Sequence, residues 1–156
     1  NLSQLLLPEA ILLQDHAGSS TEVIEKLGEL LRQKGCVKDD FVEATLRREA
    51  TMPTGLPLGG EYNAAIPHVD LEYVLSPAVG MATLREPVVF RNMVDPDEEV
   101  PVQLVFMLAL DRPKAQIEVL QQVANLLQSP DVVAGLMAAR TKEEVLALLT
   151  GLEAAS

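Results

Sequence analysis

The chain has 156 residues, 48% of them hydrophobic, with no tryptophan, and a formal net charge of −11. That length suits one domain around one core, and no apolar run reaches the ~18 residues that a membrane span needs. Nucleic acid and anionic membranes repel so acidic a chain, so the charge serves either solubility or encounter with a basic partner protein.

The opening NLSQLLLPEA has neither the basic region nor the small-residue cleavage site of a signal peptide. The single Cys36 has no intrachain partner, which fits a reducing compartment. Together these features predict a cytoplasmic protein without membrane insertion. A weak strand signal, ILL at 11–13, comes next. In GSSTEVIEKLGELLRQKG, Ser19 and Glu22 have capping-box spacing, Val23, Ile24, Leu27, Leu30 and Leu31 recur at helical spacing, and Gly35 is a stop. A second helix is predicted from about Asp39 to Ala50, with Phe41, Val42, Thr45 and Leu46 inward and Arg47, Arg48 and Glu49 at its end.

The stretch TMPTGLPLGGEYNAAIPHVD, residues 51–70, runs from a Gly- and Pro-rich turn into a short apolar segment that ends on Pro67 and His68. NAAI, AVGMATL (78–84) and VVF (88–90) read as short strands. VQLVFMLAL (102–110) is a near-continuous apolar run, typical of a strand buried on both faces. Helices then return. Residues 114–128 place Ile117, Leu120, Val123, Ala124 and Leu127 on one face. Ser129 caps the next helix with Pro130 at its first position, and Thr141 with Glu144 forms another capping box. This succession predicts an α/β fold: one domain over residues 1–156, with a mixed β-sheet flanked by helices on both sides.

Several chemistries find no support. TGLPLGG lacks the P-loop lysine and is not G-x-G-x-x-G, and there is no G-x-S-x-G. One cysteine and two widely separated histidines offer no zinc-ligand pair. A Cys36–His68 dyad has no flanking signature. No metal or cofactor is expected.

His68 remains. A histidine with its ordinary pKa, about 6.5, is largely neutral at pH 7 and can form a covalent intermediate unaided. Phosphoryl transfer asks mainly for in-line positioning and donors around the equatorial oxygens. Candidate donors near His68 in sequence are the Asn63 amide, the Tyr62 and Thr54 hydroxyls, and the N–H groups of Gly55, Gly59 and Gly60, with Arg47 and Arg48 as positive charge. The plainer alternative makes His68 a strand-end residue hydrogen-bonded to a carbonyl.

RREATMPTG followed by AAIPH resembles the IIA component of the bacterial phosphoenolpyruvate-dependent sugar phosphotransferase system, of the fructose–mannitol or type 2 superfamily. The resemblance extends from ILLQDHAGSSTEVIEKLGELL to the helices after VQLVFMLAL, nearly the whole chain. It implies that His68 takes a phosphoryl group on Nε2 from the histidine phosphocarrier protein. A IIB component then receives it and phosphorylates a sugar or polyol during uptake through a membrane IIC component. The family's active-site arginine falls on Arg48. In this context Pro67 fixes the backbone before the histidine, and the glycines let the loop approach the phosphoryl oxygens.

Fructose- and mannitol-type members usually carry a second histidine after the long buried strand. Gln116, followed by Ile117, stands there instead. His16 precedes the first long helix and reads as a surface loop residue. The missing imidazole and EATMPTG look most like the galactitol-type IIA proteins. Two other readings stay open: a regulatory module of the nitrogen-related type, whose phosphorylation state controls a protein partner, and a structural domain with an inert His68.

Overall fold

The computed structural model describes residues 1–155. A single helical turn, α1 (Leu2–Leu5), leads into strand β1 (Leu6–Asp15), and helices α2 (Ser20–Gln33) and α3 (Phe41–Thr51) follow. Two short strands, β2 (Gly55–Leu56) and β3 (Ala64–Ala65), precede a 3-10 turn at Leu71–Tyr73. The long strands β4 (Ala78–Arg91) and β5 (Glu99–Ala109) come next, then helices α4 (Pro113–Leu127), α5 (Pro130–Ala138) and α6 (Lys142–Ala155).

The five strands lie in the order β1-β4-β5-β3-β2. β4 and β5 are antiparallel, β1 is parallel to β4, β3 is parallel to β5, and β2 returns antiparallel to β3. This is the expected mixed sheet with helices on both sides. Strand β5 explains the near-continuous apolar run. Val105, Met107 and Ala109 pack with Ile24, Leu27, Leu31 and Phe41 of α2 and α3. The alternate residues Leu104, Phe106 and Leu108 pack with Val123, Leu136 and Val145 of α4 to α6. Pleating sends successive side chains to opposite faces, and both faces are covered.

The end of α2 forms as its sequence requires. Gly35 adopts φ +74, its N–H donates to the Arg32 carbonyl and the Cys36 N–H to the Leu31 carbonyl. That pairing closes the helix through a left-handed residue, where a Cβ would be strained.

Four expectations change. β1 is ten residues long, not the three of ILL, and α1 has no counterpart in the sequence reading. AVGMATL and VVF are one strand. Exposed Arg85, Glu86 and Pro87 sit where the register with β5 shifts between Thr83 and Val88, and such an irregularity tolerates a proline that cannot donate to the ladder. α4 buries Val119, Val123, Leu126 and Leu127, while Ile117 is 57% exposed and Ala124 is also exposed. Its apolar residues form two overlapping stripes, and contact with the sheet, not periodicity, selects between them. Ser129 occupies the N-cap position of α5 without a side-chain capping bond.

Gln14 also has a left-handed backbone, φ 52, without being glycine. Its N–H donates to Oγ1 of fully buried Thr83 at 2.8 Å, and its carbonyl accepts from Arg85 Nε at 2.9 Å. Thr83→Val keeps the shape but strands that N–H. The expected loss is about 1–2 kcal/mol, read as a lower urea midpoint with an unchanged m value.

Candidate active site

His68 is placed by β5. Beyond the two-residue β3 ladder the chain keeps a parallel course, and a further bridge joins His68 to Leu108. The Leu108 N–H donates to the Pro67 carbonyl at 3.0 Å. The imidazole is thereby carried to the sheet end that holds Ala109, and it is 9% exposed.

Its Nδ1 lies 2.8 Å from the Ile66 carbonyl oxygen. A carbonyl only accepts, so Nδ1 carries the proton and Nε2 keeps its lone pair. Burial pushes the imidazole pKa below the usual histidine value, and Arg48 lowers it further, against the Ile66 carbonyl and Asp70, which favour the charged form. The side chain is therefore neutral at pH 7, with one defined tautomer and one free nucleophilic nitrogen.

Arg48, in the last turn of α3, is the nearby cation. Its Nη1 is 3.5 Å from Asp70 Oδ1, and its buried Nε has no hydrogen-bond partner among the described residues. Arg47, one step round the helix, points to solvent and pairs with Glu43 at 3.2 Å. Thr54 closes the site from the β2 side. Its hydroxyl and its carbonyl both accept from the Ile66 N–H, at 3.2 and 3.3 Å.

The other expected donors are not drawn in. Asn63 is spent on the loop: Oδ1 accepts from Leu58 N and Nδ2 donates to the Pro101 carbonyl. The Gln103 and Leu104 N–H groups both donate to the Asn63 carbonyl, whereas His68 is level with Leu108. Four residues of strand, roughly 13 Å, separate those levels. Tyr62, Gly59 and Gly60 belong to the same distant loop. They are near His68 in sequence only, because β3 runs away from them.

Gly55 has a different reason to be glycine. A Cβ there would meet the Arg91 carbonyl oxygen at 2.5 Å, so close packing against the β4–β5 hairpin requires it, not approach to a ligand. Gln116 is half-buried in the first turns of α4, and its side chain makes no hydrogen bond among the described residues. His16 follows Asp15, which pairs with Leu84, five residues along β4 from Val79, the level of His68. Among the described residues no cluster of three or more His, Cys, Asp or Glu is able to hold a metal, and no helix is long and apolar enough to cross a membrane.

The sequence reading overlooked two carboxylates. Asp70 faces Arg48, and half-buried Glu49 grips Thr54 through its N–H at 2.7 Å and its hydroxyl at 2.9 Å. Burial pushes the Glu49 carboxyl up from the ordinary range, against those hydrogen bonds and Arg48.

The lowered His68 pKa makes a stability prediction. Below about 6.5 the unfolded chain takes up a proton on this histidine more readily than the folded one. Stability is thus fully present above that value and is lost as the pH falls towards the folded pKa. His68→Gln removes this component, so the variant should lose less stability than the native protein between pH 7.5 and 5.5, measured by urea unfolding at each pH.

Residues 4–151 match the family model described as phosphoenolpyruvate-dependent sugar phosphotransferase system, EIIA 2. The chain is 33% identical over 117 residues to the galactitol-specific EIIA component of Escherichia coli K12, covering 75% of this chain and 77% of that one. It is 33% identical over 153 residues to a nitrogen regulatory protein of Klebsiella oxytoca, covering 96% and 90%. Among solved structures, the mannitol enzyme IIA of Escherichia coli, in complex with phosphorylated enzyme IIB, superposes with a TM-score of 0.76 at 30% identity, over 94% of this chain and 97% of that one.

Proposed function

The chain belongs to the EIIA type 2 family of the phosphoenolpyruvate-dependent sugar phosphotransferase system, and on that premise we propose that His68 is its phosphoryl acceptor, with Nε2 as the reacting atom. The observation that carries the assignment is the Nδ1–H bond to the Ile66 carbonyl, which leaves Nε2 unprotonated. The donor is the phosphohistidine of the histidine phosphocarrier protein, and the recipient is a IIB component that serves a membrane IIC component. A related mannitol enzyme IIA is itself found with phosphorylated IIB.

The transfer balances simply. The Nε2 lone pair attacks phosphorus, the N–P bond forms as the donor's N–P bond breaks, and the donor imidazole recovers its electron pair. The His68 ring gains positive charge as the bond forms, and Nδ1–H shares it with the Ile66 carbonyl. Arg48 supplies the charge for the phosphoryl oxygens. Its unpartnered Nε and its loose contact with Asp70 leave it free to turn towards them, and a guanidinium offers directed donors that lysine does not copy. The acidic surface suits a carrier protein of opposite charge.

Galactitol is the first polyol to test, given the galactitol-specific relatives and Gln116 where mannitol- and fructose-type members usually have histidine. One observation favours a second reading, in which the phosphorylation state sets binding to a protein target: a nitrogen regulatory relative matches 96% of the chain. Passage of label onward to a IIB component separates carrier from regulator.

Reconstituted transfer from phosphoenolpyruvate through the two general proteins of the system tests the site. His68→Ala should abolish acid-labile labelling and His16→Ala should keep it. Arg48→Lys should slow labelling at least tenfold while leaving thermal stability near native. Label on His68→Ala at the normal rate removes His68 from the role.

Ionic strength offers an independent check. Screening shortens electrostatic reach to about 8 Å near physiological salt. If charge steers the encounter, the second-order rate of phosphoryl transfer should fall steadily with added sodium chloride while the first-order step within the complex stays constant.

A further inference from the structure

Glu49 is a half-buried carboxylate in contact with no part of the proposed transfer. Its two oxygens are both turned on Thr54. Oε2 accepts the Thr54 N–H at 2.7 Å, and Oε1 accepts the hydroxyl at 2.9 Å. The same hydroxyl oxygen accepts from the Ile66 N–H at 3.2 Å. An N–H only donates, so the hydroxyl must use a lone pair towards Ile66 and point its own hydrogen at the carboxylate. The direction of every bond is therefore fixed.

Ile66 is also the residue whose carbonyl receives the His68 Nδ1–H. Its N–H is held by Thr54, and the next carbonyl, of Pro67, is held by Leu108 of β5. The Ile66 carbonyl is thus anchored from both sides along the chain. β5 provides one anchor, while the other ends at Glu49. A neutral histidine in water populates both tautomers, so keeping the proton on Nδ1 depends on keeping that carbonyl in place.

We propose that Glu49 is a positioning residue for His68, acting through the Thr54 hydroxyl and the Ile66 backbone to hold the imidazole with its proton on Nδ1 and its lone pair on Nε2. Neighbouring Arg48 then faces the phosphoryl group directly, while Glu49 acts from behind the histidine. Consecutive residues at the end of α3 serve the two nitrogens of one ring, one on the reacting side and one through the opposite side. Thr54 is the joint: its carbonyl shares the Ile66 N–H, and its hydroxyl accepts that N–H while donating to Glu49, so the hydroxyl alone ties the carboxylate to Ile66. This inference rests on the reading of His68 as the acceptor, but its spectroscopic test does not.

The test uses the whole chain with nitrogen-15-labelled histidine. Long-range proton–nitrogen correlation at pH 7.5 reads the His68 tautomer without any phosphoryl transfer, and the reconstituted system gives the rate. The native ring should appear as the Nδ1–H form. Glu49→Gln puts an amide donor in reach of the hydroxyl and disturbs its orientation, so a detectable Nε2–H population and an approximately tenfold slower transfer are expected, about the loss of one charge-assisted hydrogen bond. Thr54→Val, of the same shape but without the hydroxyl, should give the same signature and decides the matter if Glu49→Gln does not fold. Thr54→Ser restores the hydroxyl and should return the ring to the Nδ1–H form. Glu43→Gln, on the outer face of α3, should match the native protein in both measurements. A Glu49→Gln or Thr54→Val protein that is merely less stable, with the native tautomer retained, overturns the proposal. Failure of the native protein to accept phosphoryl on His68 overturns the function proposed above instead, and leaves the tautomer result to stand by itself.

Discussion

One hydrogen bond governs the site: His68 Nδ1–H to the Ile66 carbonyl, 2.8 Å long. It decides which ring nitrogen faces outward with a lone pair. A histidine in water exchanges its proton freely between the two nitrogens, and a flexible loop would leave the choice to chance. Here the carbonyl belongs to a backbone segment docked beside β5, a long strand covered on both faces. The stability of β5, set by apolar packing on both faces, is thereby passed to a chemical property of one side chain. The core clusters on the two sides of the sheet share no residue with the reacting atoms, yet they fix where Leu108 lies and so where His68 lies.

The same arrangement explains why burial does not disable the histidine. Removing an imidazole from water disfavours its charged form and leaves the neutral one comparatively untouched. A neutral ring with one satisfied N–H meets little penalty in an apolar setting. The requirement for a nucleophile and the requirement for a stable fold are met by one protonation state. Arg48 reinforces it, because a nearby positive charge opposes imidazolium formation in the resting state; in the proposed transfer the same charge would meet the phosphoryl group.

Much of this was legible in the chain, and what was not has a common cause. The cap pairs of α2, the two-sided run of β5 and the Gly35 stop are local patterns, and local patterns set local backbone. Choosing Arg48 over Arg47 required the family resemblance, because the two are adjacent and differ only by about 100° round a helix. Asn63 and Tyr62 misled because nearness in sequence is not nearness in space once a strand runs between them. Glu49 was invisible for the opposite reason. A glutamate after two arginines at a helix end reads as surface charge, and only the return of the chain at Thr54 engages its two oxygens and half-buries it. The four residues of α1 are too few for any periodicity. Ile117 and Val119 both begin plausible stripes, and the sheet, not the helix, decided between them.

Charge at the site is arranged more finely than the net −11 suggests. In the proposed carrier a phosphoryl group must be held well enough to form and loosely enough to leave, so the two states of His68 need similar free energies. Arg48 alone would favour the phosphorylated state strongly, since a desolvated guanidinium–phosphate contact is among the stronger charge-assisted bonds. Asp70 opposes it by offering the same guanidinium an alternative partner before transfer. That pair is partly exposed and 3.5 Å long, so it contributes little by itself. A weak competitor suits the purpose: it yields to a dianion yet recovers the arginine once the phosphoryl group has gone. The unpartnered Nε fits this account, because a buried donor left unsatisfied raises the free energy of the resting state and so helps the phosphoryl group to arrive. Its departure is helped in turn by Asp70, two residues past the histidine and on the same backbone.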